Sequence, residues 1–310
     1  MTQRRMIRKG YALSKMEGEI SMSKYRDELY LDAIASTIGD VYYSNASLKS
    51  KIASMRNLCE YYVRRLIKHN PNSDLLLGNK RTKQQLEKAG VTEAFFWKAF
   101  DVVHFDGNDA SHTKVYAIPT EEDFDRVSKA VVDLQSYLFY DYFKRYQFGS
   151  NRSIERSFSL LPPFFRLTVL HQLILLDCEN LEIVHKYALA AMKTLGKAGA
   201  LQLIENEKEY LNSHSIPFTS EDAEKVLEAL GPLGYAQFLQ QMNGSIYDYL
   251  KREIEETGDT FDSMEPKYKN FEEAKMFFLD EGKVEGDSPD VVEFNALMEY
   301  IYTGRQECTK

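Results

Sequence analysis

Residues 47–68 read SLKSKIASMRNLCEYYVRRLIK, and their apolar side chains recur at intervals of three and four residues. This spacing places one apolar stripe along a helix, because about 3.6 residues complete each turn. The charged side chains of Arg56, Glu60 and Arg64 fall off that stripe. The segment therefore predicts a helix that packs on a core through Ile52, Met55, Cys59, Tyr62, Val63 and Leu66.

The same helical periodicity continues on both sides of this segment, whereas strand-like alternation is scarce. Thr120 and Asp123 form a capping-box pattern at the start of a long helix. A polar stretch with little periodicity, 147–157, is typical of a junction between domains. We therefore predict an all-α protein with three parts, which are a basic N-terminal arm at 1–26, a helical domain at 27–146 and a second helical domain at 158–310.

The net charge of −8 conceals an uneven distribution along the chain. Residues 1–146 hold 23 Lys and Arg against 19 Asp and Glu, while residues 147–310 hold 16 against 28. One interpretation is that acidic helices keep the second half in solution. The others are that the first half alone binds a polyanion, or that the acidic half docks on a basic partner.

Several classes of protein are not indicated by the sequence. Cys59, Cys178 and Cys308 lie far apart without a CxxC pair, which signals neither a disulfide framework nor a cysteine zinc site. The longest apolar stretch, LTVLHQLILL at 167–176, falls short of the roughly 18 residues that a membrane span needs. GKAGA at 196–200 lacks the phosphate-loop pattern and predicts a turn between helices. We expect a soluble cytoplasmic protein with no metal, no cofactor and no membrane contact.

The stretch DVVHFDGNDASH, residues 101–112, carries two of the six histidines, one on each side of Gly107 and Asn108. We expect Gly107 to end the preceding helix, which leaves His104, Asn108 and His112 around a polar bend. An ordinary histidine, with a pKa of about 6.5, exchanges protons at neutral pH, so such a bend suits acid and base chemistry. A structural interpretation stays open, in which His112 bonds a backbone carbonyl and Asn108 satisfies the helix end.

The order of elements around this stretch resembles a branch of the HEPN superfamily, the small helical domains often fused to restriction-enzyme subunits. The hallmark of that branch is similar to Ile-Arg-Glu-x-Gly-Asn-x-Ala-x-His, and residues 103–112 read VHFDGNDASH. Gly107, Asn108, Ala110 and His112 fall on this motif, while His104 stands at its arginine position. The resemblance covers about 51–146.

The resemblance implies a helical bundle that dimerises, in which an arginine and a histidine meet across the dimer and cleave RNA without a metal. His112, His104 and Asn108 are then the candidate catalytic residues, with the two histidines dividing the acid and base roles. With histidine at position 104, the fixed positive charge of the motif is missing. Candidate RNA- or phosphate-binding residues that would supply this charge are Arg56, Arg64 and Arg65.

Two functions from different classes follow from these observations. The first is a HEPN-like homodimer that binds RNA or phosphate through its N-terminal domain, with metal-independent ribonuclease activity as the strongest form of the hypothesis. The setting that the resemblance implies is prokaryotic or phage defence or counter-defence. The second is a non-enzymatic interaction or adaptor protein whose acidic C-terminal domain binds a protein partner.

Aromatic residues crowd the helix that closes the first domain. This density favours a core or a dimer interface over stacking on nucleic-acid bases, and of these we favour the dimer interface. The residues are Tyr137, Phe139, Tyr140, Tyr142, Phe143 and Tyr146.

Overall fold

The computed structural model describes residues 28–70, 73–111, 118–217, 220–242, 244–264 and 268–307. Over these residues the chain forms thirteen α-helices and one short π-helix, and no β-strand. The prediction of an all-α fold is therefore confirmed. The basic arm predicted at 1–26 lies outside the described residues.

The described residues divide into two compact units. Unit 1 contains the residues up to Leu138 together with Glu293–Gln306, and unit 2 contains Phe139–Val292 together with Glu307. The first passage of the chain from unit 1 to unit 2 therefore lies inside a helix, and the two ends of the described chain are assigned to different units.

This division differs in two places from the limits predicted by sequence. The polar stretch 147–157 lies within unit 2, and Glu293–Gln306 belongs to unit 1 although the sequence groups it with the acidic second domain. The domain limits at 27–146 and 158–310 stay a prediction about which parts fold independently.

Unit 1 begins with four complete helices and a π-helical turn, followed by most of a fifth helix. In chain order these are α1 (Glu28–Ile38), the π-helix (Gly39–Tyr43), α2 (Leu48–Leu66), α3 (Lys80–Lys88), α4 (Ala94–Ser111) and α5 (Glu121–Tyr146). Helix α2 packs against α1 and along α4. It is therefore the central helix of this part of the unit.

The two helices predicted with most detail form as the sequence indicates. Ser47 caps α2 by accepting a hydrogen bond from the backbone N–H of Ser50. The capping box of α5 is confirmed, because the Asp123 N–H donates to the Thr120 hydroxyl at 3.2 Å and the Thr120 N–H donates to the Asp123 carboxylate at 2.9 Å. The buried stripe of α2 is Ile52, Met55, Leu58, Cys59, Tyr62 and Val63, which adds Leu58 to the predicted set and omits the half-buried Leu66.

Unit 2 continues from the end of α5 through seven helices and the start of another. They are α6 (Arg152–Phe158), α7 (Pro163–Leu176), α8 (Leu181–Asn206), α9 (Lys208–Asn212), α10 (Ser220–Met242), α11 (Ile246–Ser263), α12 (Phe271–Glu281) and α13 (Pro289–Tyr302). Helix α8 packs against both α7 and α11. The apolar stretch at 167–176 lies in α7, and in the described part of the chain no helix is both long and apolar enough to cross a membrane.

The aromatic residues of α5 are packed inside the chain. Tyr137 contacts Phe96 of unit 1, with ring centroids 4.7 Å apart, and Phe143 contacts Phe148 and Phe158 of unit 2. Five of the six rings are buried and Tyr146 is half-buried. The preference for a dimer interface is therefore corrected to a core role for the buried rings, since each ring already has partners within its own chain. The homodimer itself stays a prediction.

Helices α8 and α10 each turn a corner at a glycine of the same conformation. Gly196 has φ 70° and ψ 176°, and Gly231 has φ 69° and ψ 178°. Only glycine adopts this combination at low cost, because a Cβ atom would collide with the backbone. The corner in α8 is closed by Asp262, whose carboxylate accepts the Lys197 N–H at 2.9 Å. The turn predicted at 196–200 is therefore present only at Gly196, since residues 197–200 are helical.

Replacing Gly196 with alanine should destabilise the protein by about 1–3 kcal/mol, because the substituted residue is forced into a region of φ and ψ that L residues avoid. The variant Gly196→Asn should lose as much, since asparagine tolerates the left-handed helical region but not this extended one. Urea unfolding followed by circular dichroism gives the free energy of unfolding. Wild-type stability in the asparagine variant would contradict the observed backbone.

Candidate functional site

The structure brings together three of the six predicted site residues. Arg56 of α2 meets Asn108 and His104 of α4 where these two helices pack along each other. The remaining arginines lie elsewhere in unit 1, and His112 lies outside the described residues. The catalytic and RNA-binding roles of the six residues stay predictions.

A continuous chain of hydrogen bonds joins four side chains across the contact between α2 and α4, and we call it the polar chain. The Arg56 Nη1 donates to Glu60 Oε1 at 2.8 Å, and the Arg56 Nε donates to Asn108 Oδ1 at 2.8 Å. The Asn108 Nδ2 lies 3.0 Å from His104 Nε2. Each ionic or amide group is therefore paired, which is the condition for placing polar groups between packed helices.

The expectation that Gly107 ends the helix is wrong. Helix α4 continues through Gly107 to Ser111, and Gly107 is buried inside it. A Cβ atom at this position would lie 2.5 Å from the Cβ of Arg56. Glycine is required here because α2 and α4 approach closely, so the two predicted sides of a bend are successive turns of one helix.

The environment of His104 disfavours its positive charge. The side chain is 9 % exposed and its ring stacks on Phe100, with centroids 5.9 Å apart. Burial is the main cause that lowers the pKa of His104 below the ordinary value of 6.5, and the charges of Arg56 and Lys83 lower it further while Asp101 opposes them. The imidazole is therefore neutral at neutral pH.

Arg64 and Arg65 do not reach the polar chain. The guanidinium of Arg64 donates to the carbonyl oxygens of Asn70 and Ser73, at 3.1 and 2.6 Å. The guanidinium of Arg65 lies over the Tyr300 ring, 4.8 Å from its centroid. Residues of one helix point about 100° apart at each step, which explains why neighbouring arginines serve different contacts.

Helix α3, which we call the basic helix, is a functional candidate that the sequence analysis missed. Its sequence KRTKQQLEK contains four cations and one carboxylate, and this charge run was the available signal. Lys80, Arg81 and Lys88 are exposed and have no ion-pair partner among the described residues. Lys83 lies 3.5 Å from Asp101 and ties the basic helix to α4.

The basic helix begins beside the polar chain. Gly78 precedes Asn79, which caps the basic helix by accepting the Arg81 N–H at 2.9 Å. A Cβ atom on Gly78 would lie 2.8 Å from His104 Nε2. The ring of the buried His104 therefore packs against the backbone at Gly78, two residues before the basic helix begins.

Two histidines of unit 2 pair with glutamates between packed helices. His171 of α7 bonds through Nε2 to Glu207, whose other oxygen accepts the hydroxyl of Tyr187 at 3.2 Å. His185 of α8 lies 2.6 Å from the carboxylate of Glu253 on α11, and this hydrogen bond is the main cause that raises the pKa of His185. These pairs fix α8 against its neighbours.

Unit 2 also contains a groove of about 560 Å³ between the end of α5 and the start of α8. Asp177, Glu179 and Glu182 line it, and none of its described lining residues is a lysine or an arginine. Among the residues that the structure describes, no group of three or more His, Cys, Asp or Glu side chains is placed to hold a metal ion.

No family model matches this chain, and neither the curated proteins nor the solved structures give a significant match. The resemblance drawn from residues 103–112 is neither supported nor opposed by these comparisons.

The substitution Gly107→Ala should lower the free energy of unfolding, because the new Cβ meets the Cβ of Arg56 rather than a flexible chain end. Overpacking costs about 1–3 kcal/mol, against about 1 kcal/mol gained from the helix propensity of alanine. Urea unfolding measures the difference. The matched control is Gly39→Ala, at a position where nothing lies within 4 Å of the added atom, and equal stability of both variants would contradict the close approach.

His104 should make unit 1 less stable in acid. The pKa of His104 is lower in the folded than in the unfolded chain. Its contribution to the free energy of unfolding is therefore fully present above pH 6.5 and is lost as the pH falls through the folded pKa. Urea unfolding between about pH 8 and pH 5 measures this slope. The variant His104→Gln should flatten it, while the control His69→Gln, in the same unit but outside the polar chain, should retain it. An unchanged slope in His104→Gln would contradict the neutral state.

Proposed function

We propose that unit 1 binds RNA through the basic helix, beside the polar chain. The observation that carries this proposal is the exposure of Lys80, Arg81 and Lys88 without ion-pair partners among the described residues. Such side chains attract phosphate groups and displace the counterions that surround a nucleic acid, which supplies most of the binding free energy. The choice of RNA among polyanions comes from the HEPN resemblance.

This proposal moves the predicted phosphate contacts from Arg56 to the exposed cations of the basic helix. The charge of Arg56 is offset by Glu60 at 2.8 Å, and the arginine side chain is only 20 % exposed. A guanidinium that is already paired and enclosed gains little from a phosphate, because it must first give up its carboxylate. The free cations of the basic helix carry no such cost, and the polar chain contributes by holding that helix in place.

Three further proposals rest on the resemblance alone. They are a homodimer through the N-terminal domain, metal-independent ribonuclease activity that uses His112, and a setting in prokaryotic or phage defence. Cleavage requires a residue that can exchange a proton with the ribose or the leaving oxygen. His104 is buried and neutral, so His112 is the better of the two candidates for that role.

The second function, docking of a basic protein partner on unit 2, is favoured by the carboxylates that line the groove at the start of α8. It serves as the alternative outcome of the binding experiment. Binding of an oligolysine peptide without binding of RNA would support docking of a basic protein partner rather than RNA binding.

RNA binding should depend on the basic helix and on salt. The triple variant Lys80→Gln, Arg81→Gln and Lys88→Gln should bind a short fluorescent single-stranded RNA more weakly. The slope of log affinity against log salt should become shallower by roughly 2, because each phosphate that a cation neutralises contributes ~0.7 to it. Fluorescence anisotropy over a salt series measures both quantities.

The control removes the same charge from other exposed lysines, through Lys129→Gln, Lys208→Gln and Lys251→Gln. An equal loss of affinity in the control would reject the basic helix as the binding face. The same RNA is recovered after incubation in EDTA and examined for cleavage. Cleavage that disappears in His112→Ala identifies a ribonuclease. RNA that stays intact with the wild type indicates binding without cleavage.

A further inference from the structure

We propose that Asn108 is a positioning residue that holds His104 neutral, with its proton on Nδ1, so that His104 neither donates nor accepts a proton when RNA is bound. The reference to RNA rests on the proposed function, whereas the state of the histidine rests on the polar chain alone. The proposal assigns His104 a structural role beside the basic helix in place of acid or base catalysis.

The orientation of the Asn108 amide is fixed by its arginine neighbour. A guanidinium only donates hydrogen bonds, so the atom of Asn108 that lies 2.8 Å from Arg56 Nε must be the carbonyl oxygen. The amide nitrogen then faces His104 at 3.0 Å. Arg56 thus settles which end of the amide faces the histidine.

The amide nitrogen of Asn108 in turn determines which ring nitrogen of His104 carries the proton. Because the Asn108 Nδ2 is a donor, His104 Nε2 must be the acceptor, and a neutral imidazole then carries its proton on Nδ1. A proton added at Nε2 would face the N–H group of Asn108. Rotating the amide would only move the conflict to Arg56, where two donors would meet instead.

Arg56 cannot easily turn away to relieve this conflict. Its other nitrogen donates to Glu60 at 2.8 Å, and its side-chain stem packs against the backbone of Gly107. The lowered pKa of His104, caused first by burial and then by Arg56 and Lys83, agrees with this geometry. The amide donor of Asn108 and the charge of Arg56 therefore both oppose protonation of His104.

Neither ring nitrogen of His104 is left for proton transfer. The lone pair of Nε2 accepts from Asn108, and the buried Nδ1 has no hydrogen-bond partner among the described residues. A general base needs a free lone pair, and a general acid needs a proton within reach of the substrate. His104 meets neither condition while the polar chain is intact.

The test changes one functional group of Asn108. In Asn108→Asp the carboxylate accepts hydrogen bonds from both neighbours, so His104 should place its proton on Nε2 and titrate at a higher pH than in the wild type. Nitrogen-15 NMR of the full-length protein with labelled histidine reports which ring nitrogen is protonated. The signals of His104 are identified by their loss in His104→Gln.

The control is Asn57→Asp, which adds the same charge to an exposed position on α2. It should leave Nδ1 of His104 protonated. Protonated Nε2 in the wild type at neutral pH overturns the proposal without any variant, and so does an Asn108→Asp protein whose His104 is unchanged. RNA anisotropy is recorded on the same samples. If the wild type does not bind RNA but the NMR result is as expected, only the proposed function is rejected. If the wild type binds RNA but the NMR result contradicts the expectation, only this inference is rejected.

Discussion

The hydrogen bond from Arg56 to Asn108 is the constraint on which the contact between α2 and α4 depends. An arginine enclosed between two helices costs several kcal/mol unless its donors find acceptors. Glu60 provides one acceptor from the same helix, and Asn108 provides another from the facing helix. Gly107 allows the required approach, because any side chain there would occupy the place of the arginine stem. The pairing of Arg56 therefore requires both the close packing of α2 on α4 and the continuation of α4 through Gly107.

His104 links this buried contact to the basic helix at the surface. The amide of Asn108 holds the imidazole, and the imidazole packs against Gly78 immediately before the cap of the basic helix. The second tie is the pair of Lys83 with Asp101 at 3.5 Å, where both side chains are about 40 % exposed. Exposed ion pairs contribute only about 0–1 kcal/mol, so this pair alone holds the basic helix weakly. The position of the cationic face therefore also depends on the packing of the His104 ring against Gly78.

The sequence predicted the parts of this arrangement that depend on neighbouring residues. The stripe of α2 and the capping box before α5 are local patterns, and both formed. Gly107 was misread because glycine accompanies helix ends as well as close helix contacts, and the side chain that decides between them is Arg56, 52 residues from Asn108. Nothing local distinguishes Arg56 from Arg64 before the helices are packed. The basic helix needed no packing information, since its charge run is contiguous.

Histidines of the two units show that environment, not residue type, sets their charge. Burial, followed by the charges of Arg56 and Lys83, lowers the pKa of His104, whereas a hydrogen bond to the carboxylate of Glu253 raises the pKa of His185. The positive charge of the face that we assign to RNA therefore comes from lysine and arginine, which stay charged throughout the neutral range, and not from an imidazole. Binding through such a face needs no proton uptake, which suits a site whose buried histidine serves to position a helix.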